Sequence, residues 1–164
     1  MADNYLEKKM ADYRAGRSTG APRRPAGLRL PPVTVLLDNL ASQVATELCR
    51  VLTSVGYKVL ATDSSRLSQG AGARIYPVAT TPAALVEDLQ KRGEKLDCVI
   101  SNSPSAFTAV APRKVYPVDA VSFQPEADEV VLAGGTPQQI ARLAVALVRP
   151  DSGIGQQIIY LYKE

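Results

Sequence analysis

From residue 33 onward, short apolar runs rich in β-branched residues alternate with segments of helical period, and this alternation narrows the fold more than any other feature of the chain. A strand that is apolar along its whole length must be buried on both faces, which a parallel sheet flanked by crossover helices achieves. The runs at 33–38 (VTVLLD), 58–62 (KVLAT), 74–78 (RIYPV), 97–101 (DCVIS), 117–122 (PVDAVS) and 157–162 (QIIYLY) predict an α/β domain with about six mostly parallel strands. Helices are predicted over 41–55, 81–92 and 136–148. In the first, Val44, Leu48, Val51 and Leu52 form one apolar stripe and Gly56 supplies the stop. Thr81-Pro82 and Thr136-Pro137 each set a capping hydroxyl before a proline at the first helical position, where the missing N–H costs nothing.

Residues 1–32 have a different character. They carry seven Lys/Arg against three Asp/Glu, whereas residues 33–164 carry twelve against thirteen, so the net charge of +3 belongs to the arm. Tyr5, Leu6, Met10 and Tyr13 predict a short amphipathic helix over 3–15, and the Pro, Gly and Arg of 16–32 predict a linker. The division expected is a basic arm at 1–32 and a folded domain at 33–164. No apolar run reaches the roughly 18–20 residues of a membrane helix, and the N-terminus lacks the apolar centre of a signal peptide, which together predict a cytoplasmic location. Cys49 and Cys98 each lie in an apolar segment and read as buried thiols rather than a disulfide or metal pair. The chain contains no histidine, which excludes Ser-His-Asp and Cys-His catalysis and histidine metal ligands; no metal site is expected.

The segment TPQQIARLAVALVRPDSGIGQQIIYLY (136–162) is similar to the closing helix, Gly-Gln loop (Gly155, Gln156) and last strand of the short-chain dehydrogenases/reductases. PVDAVSFQ (117–124) resembles the strand before that helix, with Phe123 and Gln124 in place of a Pro-Gly turn. KLDCVISNSP (95–104) is similar to the fourth strand, with Asn102 matching the second asparagine of an Asn-Asn-Ala-Gly ending. VTVLLDNLASQVATELCRVL (33–52) matches the first strand and helix. The resemblance implies a three-layer Rossmann-like domain that binds NAD or NADP, and sheet order 3-2-1-4 at its start. The family's Thr-Gly-x-x-x-Gly-x-Gly loop falls on Asp38, Asn39, Leu40, Ala41, Ser42, Gln43, Val44 and Ala45, where all three glycines are replaced. A Cβ at each position narrows the phosphate cradle, and Asp38 and Gln43 oppose an anion at the helix N-terminus.

Only residues 105–116 separate the fourth strand from the run at 117–122, too few for the two helices and serine-bearing strand that the family places there. The resemblance therefore implies a member whose catalytic Ser/Tyr/Lys segment is deleted, with 117–122 moved beside the fourth strand. The one Tyr-x-x-x-Lys pattern, Tyr5 to Lys9, lies in the arm and reads better as a helix-face tyrosine and a solvated lysine; Tyr116, two residues after Lys114, reads better as a loop tyrosine packing on the core. Asp38, Asn39, Ser42, Asp63 and Asn102 are the candidate vestiges of a cofactor site. Asp63 stands where a Rossmann protein holds the ribose, or is an acidic turn cap; Asn102 lines the crevice, or bonds its own turn. The leading expectation is a non-catalytic binding or scaffold subunit, without a required cofactor, that forms a homo-oligomer or docks on a related protein. The alternative is an NAD(P)-binding oxidoreductase-like protein with a weakened or rebuilt site, Ser103 joining the candidates. Nucleic-acid binding through Arg14, Arg17, Arg23, Arg24 and Arg29 is the third class, and a solvated linker explains those charges better.

Overall fold

A computed structural model describes residues 32–62, 67 and 72–162, all within the unit Pro32–Glu164. Of the arm expected at 1–32, residues 1–31, with Tyr5 and Lys9, lie outside the described residues, as does Asp63. The elements run β1 (Thr34–Asp38), α1 (Ser42–Ser54), β2 (Lys58–Thr62), β3 (Arg74–Tyr76), α2 (Pro82–Lys91), β4 (Cys98–Ser101), α3 (Ala106–Ala109), β5 (Arg113–Val118), β6 (Glu129–Gly134), α4 (Pro137–Leu147) and β7 (Gln157–Leu161). The seven strands form one sheet in the order β3-β2-β1-β4-β5-β6-β7, with every neighbouring pair parallel. This is an α/β, Rossmann-like domain.

The helix ends follow from the residues that make them. Gly56, at φ 90°, lets the Gly56 and Tyr57 amides turn back onto the carbonyls of Thr53 and Leu52, each at 3.0 Å, and Gly93 closes α2 in the same way on Gln90 and Leu89. Thr81 caps α2 by accepting from the Ala84 amide, and Thr136 and Gln139 satisfy each other's backbone N–H in a reciprocal box at the start of α4. α1 starts at Ala41 with no side-chain cap.

The two faces of the sheet are covered unequally. On one, α1 and α4 pack on each other and bury Val35, Leu37, Ile100, Val115, Val130 and Leu132 beneath Leu48, Leu52 and Ala144. On the other, α2 sets Leu85 and Leu89 against Leu36, Leu60 and Val99, each fully buried leucine contributing about 1.5–3 kcal/mol. Beyond β4 the described residues give this second face the one-turn α3, and past β5 the segment 119–128. Phe123 from that segment meets the Tyr116 ring edge-on, centroids 4.9 Å apart.

The strand map departs from the sequence expectation in one region. The run at 117–122 is not a strand; β5 spans 113–118 beside β4, and EVVLAG at 129–134, unread as a strand, is the element that leads into α4. The fifth position of the sheet is therefore filled rather than deleted, and the strand preceding the closing helix is β6, not PVDAVSFQ. What is short is both connections of β5: residues 102–112 before it and 119–128 after it. The charged cluster Glu126, Asp128, Glu129 gives this stretch the look of a loop, yet Glu129 is buried because the Tyr116 hydroxyl of the neighbouring strand bonds it. Cys49 and Cys98 are buried thiols that form no disulfide, as expected.

Candidate functional site

In an open parallel sheet the crevice lies over the carboxyl ends of the strands, where neighbouring connections leave in opposite directions. Here that place is between β1 and β4, and a cavity of about 480 Å³ opens there between the N-termini of α1 and α4. Leu40, Val44, Pro117 and Ile140 contribute apolar walls, and Gln43 and Asn102 bring amides to it.

Asn39 takes φ 47°, the left-handed conformation that asparagine tolerates better than most residues, so the chain turns sharply out of β1 without glycine. Its Nδ2 donates to Asn102 Oδ1 at 3.0 Å, and Ser103 Oγ donates to the same oxygen at 3.2 Å. The first bond joins the loop after β1 to the loop after β4 across the top of the crevice. Ser42 is exposed at the first turn of α1.

Asp38 behaves otherwise than its position in the motif suggests. Leu37 belongs to the face under α1 and α4, so the next residue turns to the opposite face, where Asp38 is buried and accepts from Thr62 Oγ1 at 2.9 Å and Ser105 Oγ at 3.3 Å. The carboxylate ties β1 to β2 and to the start of α3. The structure thus brings Asn39 and Asn102 together and turns Asp38 away from them.

Tyr116 is fully buried in β5, and its hydroxyl donates to Glu129 Oε2 at 2.6 Å while the Glu126 amide donates to Glu129 Oε1 at 2.9 Å. Burial, then the bond to Glu129, pushes the phenol well above its ordinary range. Lys114 is ion-paired with Asp128. Neither residue faces the crevice as an acid–base pair.

Two features of the cavity have weaker signals in the sequence. Gly134 and Gly135, at φ 80° and 86°, line it, and a Cβ on Gly134 would stand 2.9 Å from the Leu161 carbonyl oxygen. The Gly-Gly pair before Thr-Pro was the available clue. Asp119 and Ser122 complete the polar rim. Among the described residues no group of three or more His, Cys, Asp or Glu could hold a metal ion, and no helix is long and apolar enough to cross a membrane.

No protein-family model and no curated protein matches the chain. Among solved structures it is similar to the crystal structure of a protein described as a short-chain dehydrogenase/reductase from Sinorhizobium meliloti 1021, with a TM-score of 0.54, 11% identity, and coverage of 80% of this chain and 96% of that one. At that identity the likeness concerns the fold, which is short-chain-dehydrogenase-like.

Proposed function

We propose that a chain with this fold, and with the chemistry flanking its fifth strand reduced to two short connections, serves as a non-catalytic binding or scaffold subunit. One observation carries the reading: the tyrosine of β5 has its hydroxyl sealed in the core on Glu129, and among the described residues no nucleophile and base are set together at the crevice. The crevice is also a poor fit for a dinucleotide. Residues with side chains stand at all three positions where glycines would let the backbone approach a pyrophosphate, and the Gln43 side chain lines the space. The reading places the chain in the cytoplasm, where its two cysteine thiols stay reduced.

A second reading, a rebuilt NAD(P) site in an oxidoreductase-like protein, is favoured by the cavity of about 480 Å³ beneath an α1 N-terminus that carries no side-chain cap. Calorimetric titration with NAD⁺, NADH, NADP⁺ and NADPH separates the two. The first expects no heat at millimolar nucleotide. Micromolar affinity for any of the four would overturn it in favour of the second.

A further inference from the structure

At the amino ends of the strands, opposite the crevice, Arg113 opens β5 as a buried residue, 7% exposed. Strand alternation points it to the face under α4, where Val115 also packs. The guanidinium reaches the end of that helix: Nε donates to the Leu147 carbonyl and Nη2 to the Ile154 carbonyl. Nη1 makes no hydrogen bond among the described residues, and no carboxylate among them lies within ion-pairing distance of the group.

A buried charge is ordinarily matched by an opposite one, and two neutral carbonyls do not match it. The carboxyl end of α4 contributes roughly half a negative charge. Part of the charge on Arg113 is therefore unbalanced. The neighbouring acids are engaged elsewhere, Asp128 with Lys114 and Asp151 with Arg149. Arg113 instead lines a cavity of about 330 Å³ together with Asp128 and the loop that follows α4. Pro112, Pro150 and Ile154 give this cavity apolar walls. The loop is closely seated, since a Cβ on Gly155 would stand 2.1 Å from the Ala127 carbonyl oxygen.

We propose that this cavity is a binding site for a small organic carboxylate, held by the Arg113 guanidinium. Two of the three guanidinium nitrogens are committed to the backbone, which fixes the plane of the group and leaves Nη1 to meet the ligand without reorganisation. Asp128 opposes a second negative charge in the cavity, which favours a carboxylate over a phosphate dianion, and the proline and isoleucine walls suit a short alkyl chain. The inference is independent of the crevice, which lies at the other ends of the same strands.

Butyrate is the probe, with sodium chloride and inorganic phosphate as controls at equal ionic strength. In heteronuclear NMR of the isotope-labelled full chain, butyrate is expected to shift the Arg113 Nε–H resonance and the Gly153 and Gly155 amides saturably. A dissociation constant of about 1 mM is expected for so small a ligand. Chloride should not reproduce the shifts, and phosphate should bind more weakly. Asp128→Asn, which removes the negative charge and releases Lys114, should tighten butyrate binding by about threefold or more. Arg113→Met, which keeps an unbranched stem without the charge, should abolish it; should that variant fail to fold, the Asp128→Asn comparison still decides. Absence of a saturable shift up to about 50 mM butyrate, identical shifts with chloride, tighter binding of phosphate, or an affinity that Asp128→Asn leaves unchanged or weakens would each overturn the site. None of these results bears on the crevice, whose reading stands or falls on the calorimetry.

Discussion

Tyr116 and Glu129 sit on adjacent strands, and among the described residues no cation lies within ion-pairing distance of the carboxylate, so the phenol hydroxyl and the Glu126 amide carry its solvation. Removing a partner from a buried acceptor costs its desolvation, about 1–3 kcal/mol. Tyr116→Phe is therefore expected to lower stability by that amount, and Glu129→Gln, which keeps an acceptor in place, by less. Urea unfolding measures both; an unchanged midpoint for the phenylalanine variant would show that water supplies the missing bond. At this scale the sequence was partly legible. A tyrosine packed on the core was the better reading for Tyr116, and the structure adds that it lies in a strand rather than a loop. Asp38 was harder to read, because motif position names the residue that follows Leu37 but the sheet's alternation decides which face it enters.

At the scale of elements, punctuation was the reliable signal. Thr81-Pro82, Thr136-Pro137 and Gly56 act through local backbone chemistry, and each marks its helix end where expected. EVVLAG was missed because the justification for its buried glutamate lies on another strand, and the Ser105–Thr108 cap of α3 was missed because the helix it serves is a single turn. The loop into β7 offers a test of how closely such elements are fitted. Gly155 meets the Ala127 carbonyl oxygen, whereas Gly153, at φ 71°, has nothing within 4 Å of the added carbon. Gly153→Ala should cost about 1 kcal/mol through its left-handed backbone alone. Gly155→Ala carries no left-handed cost but must displace the 119–128 segment, and its thermal midpoint should fall clearly further; equal or smaller losses would mean the segment yields freely.

At the scale of the whole sheet, the described residues make a seven-stranded, doubly wound sheet with more helix on one face than on the other. The alternation of apolar runs conveyed the sheet, because burial on two faces is written into every strand. It did not convey how that burial is achieved past β5, where a loop and one phenylalanine do the work of a helix. The brevity of the connections around β5 also sets an order of assembly. Cys98 pairs with Arg113 and Val115 with Val130, each across fifteen residues, whereas Val35 reaches Cys98 across sixty-three. Closing the shorter loops loses less chain entropy, so β4, β5 and β6 should come together before β1 is inserted beside them. Val115→Ala and Val35→Ala, both at fully buried positions, allow the comparison: φ-values of about 0.5–0.8 at Val115 against about 0–0.3 at Val35 are expected from stopped-flow refolding, and the reverse ranking would reject this order. The shortness of the two connections around the fifth strand thereby makes that strand the kinetic hub of the fold.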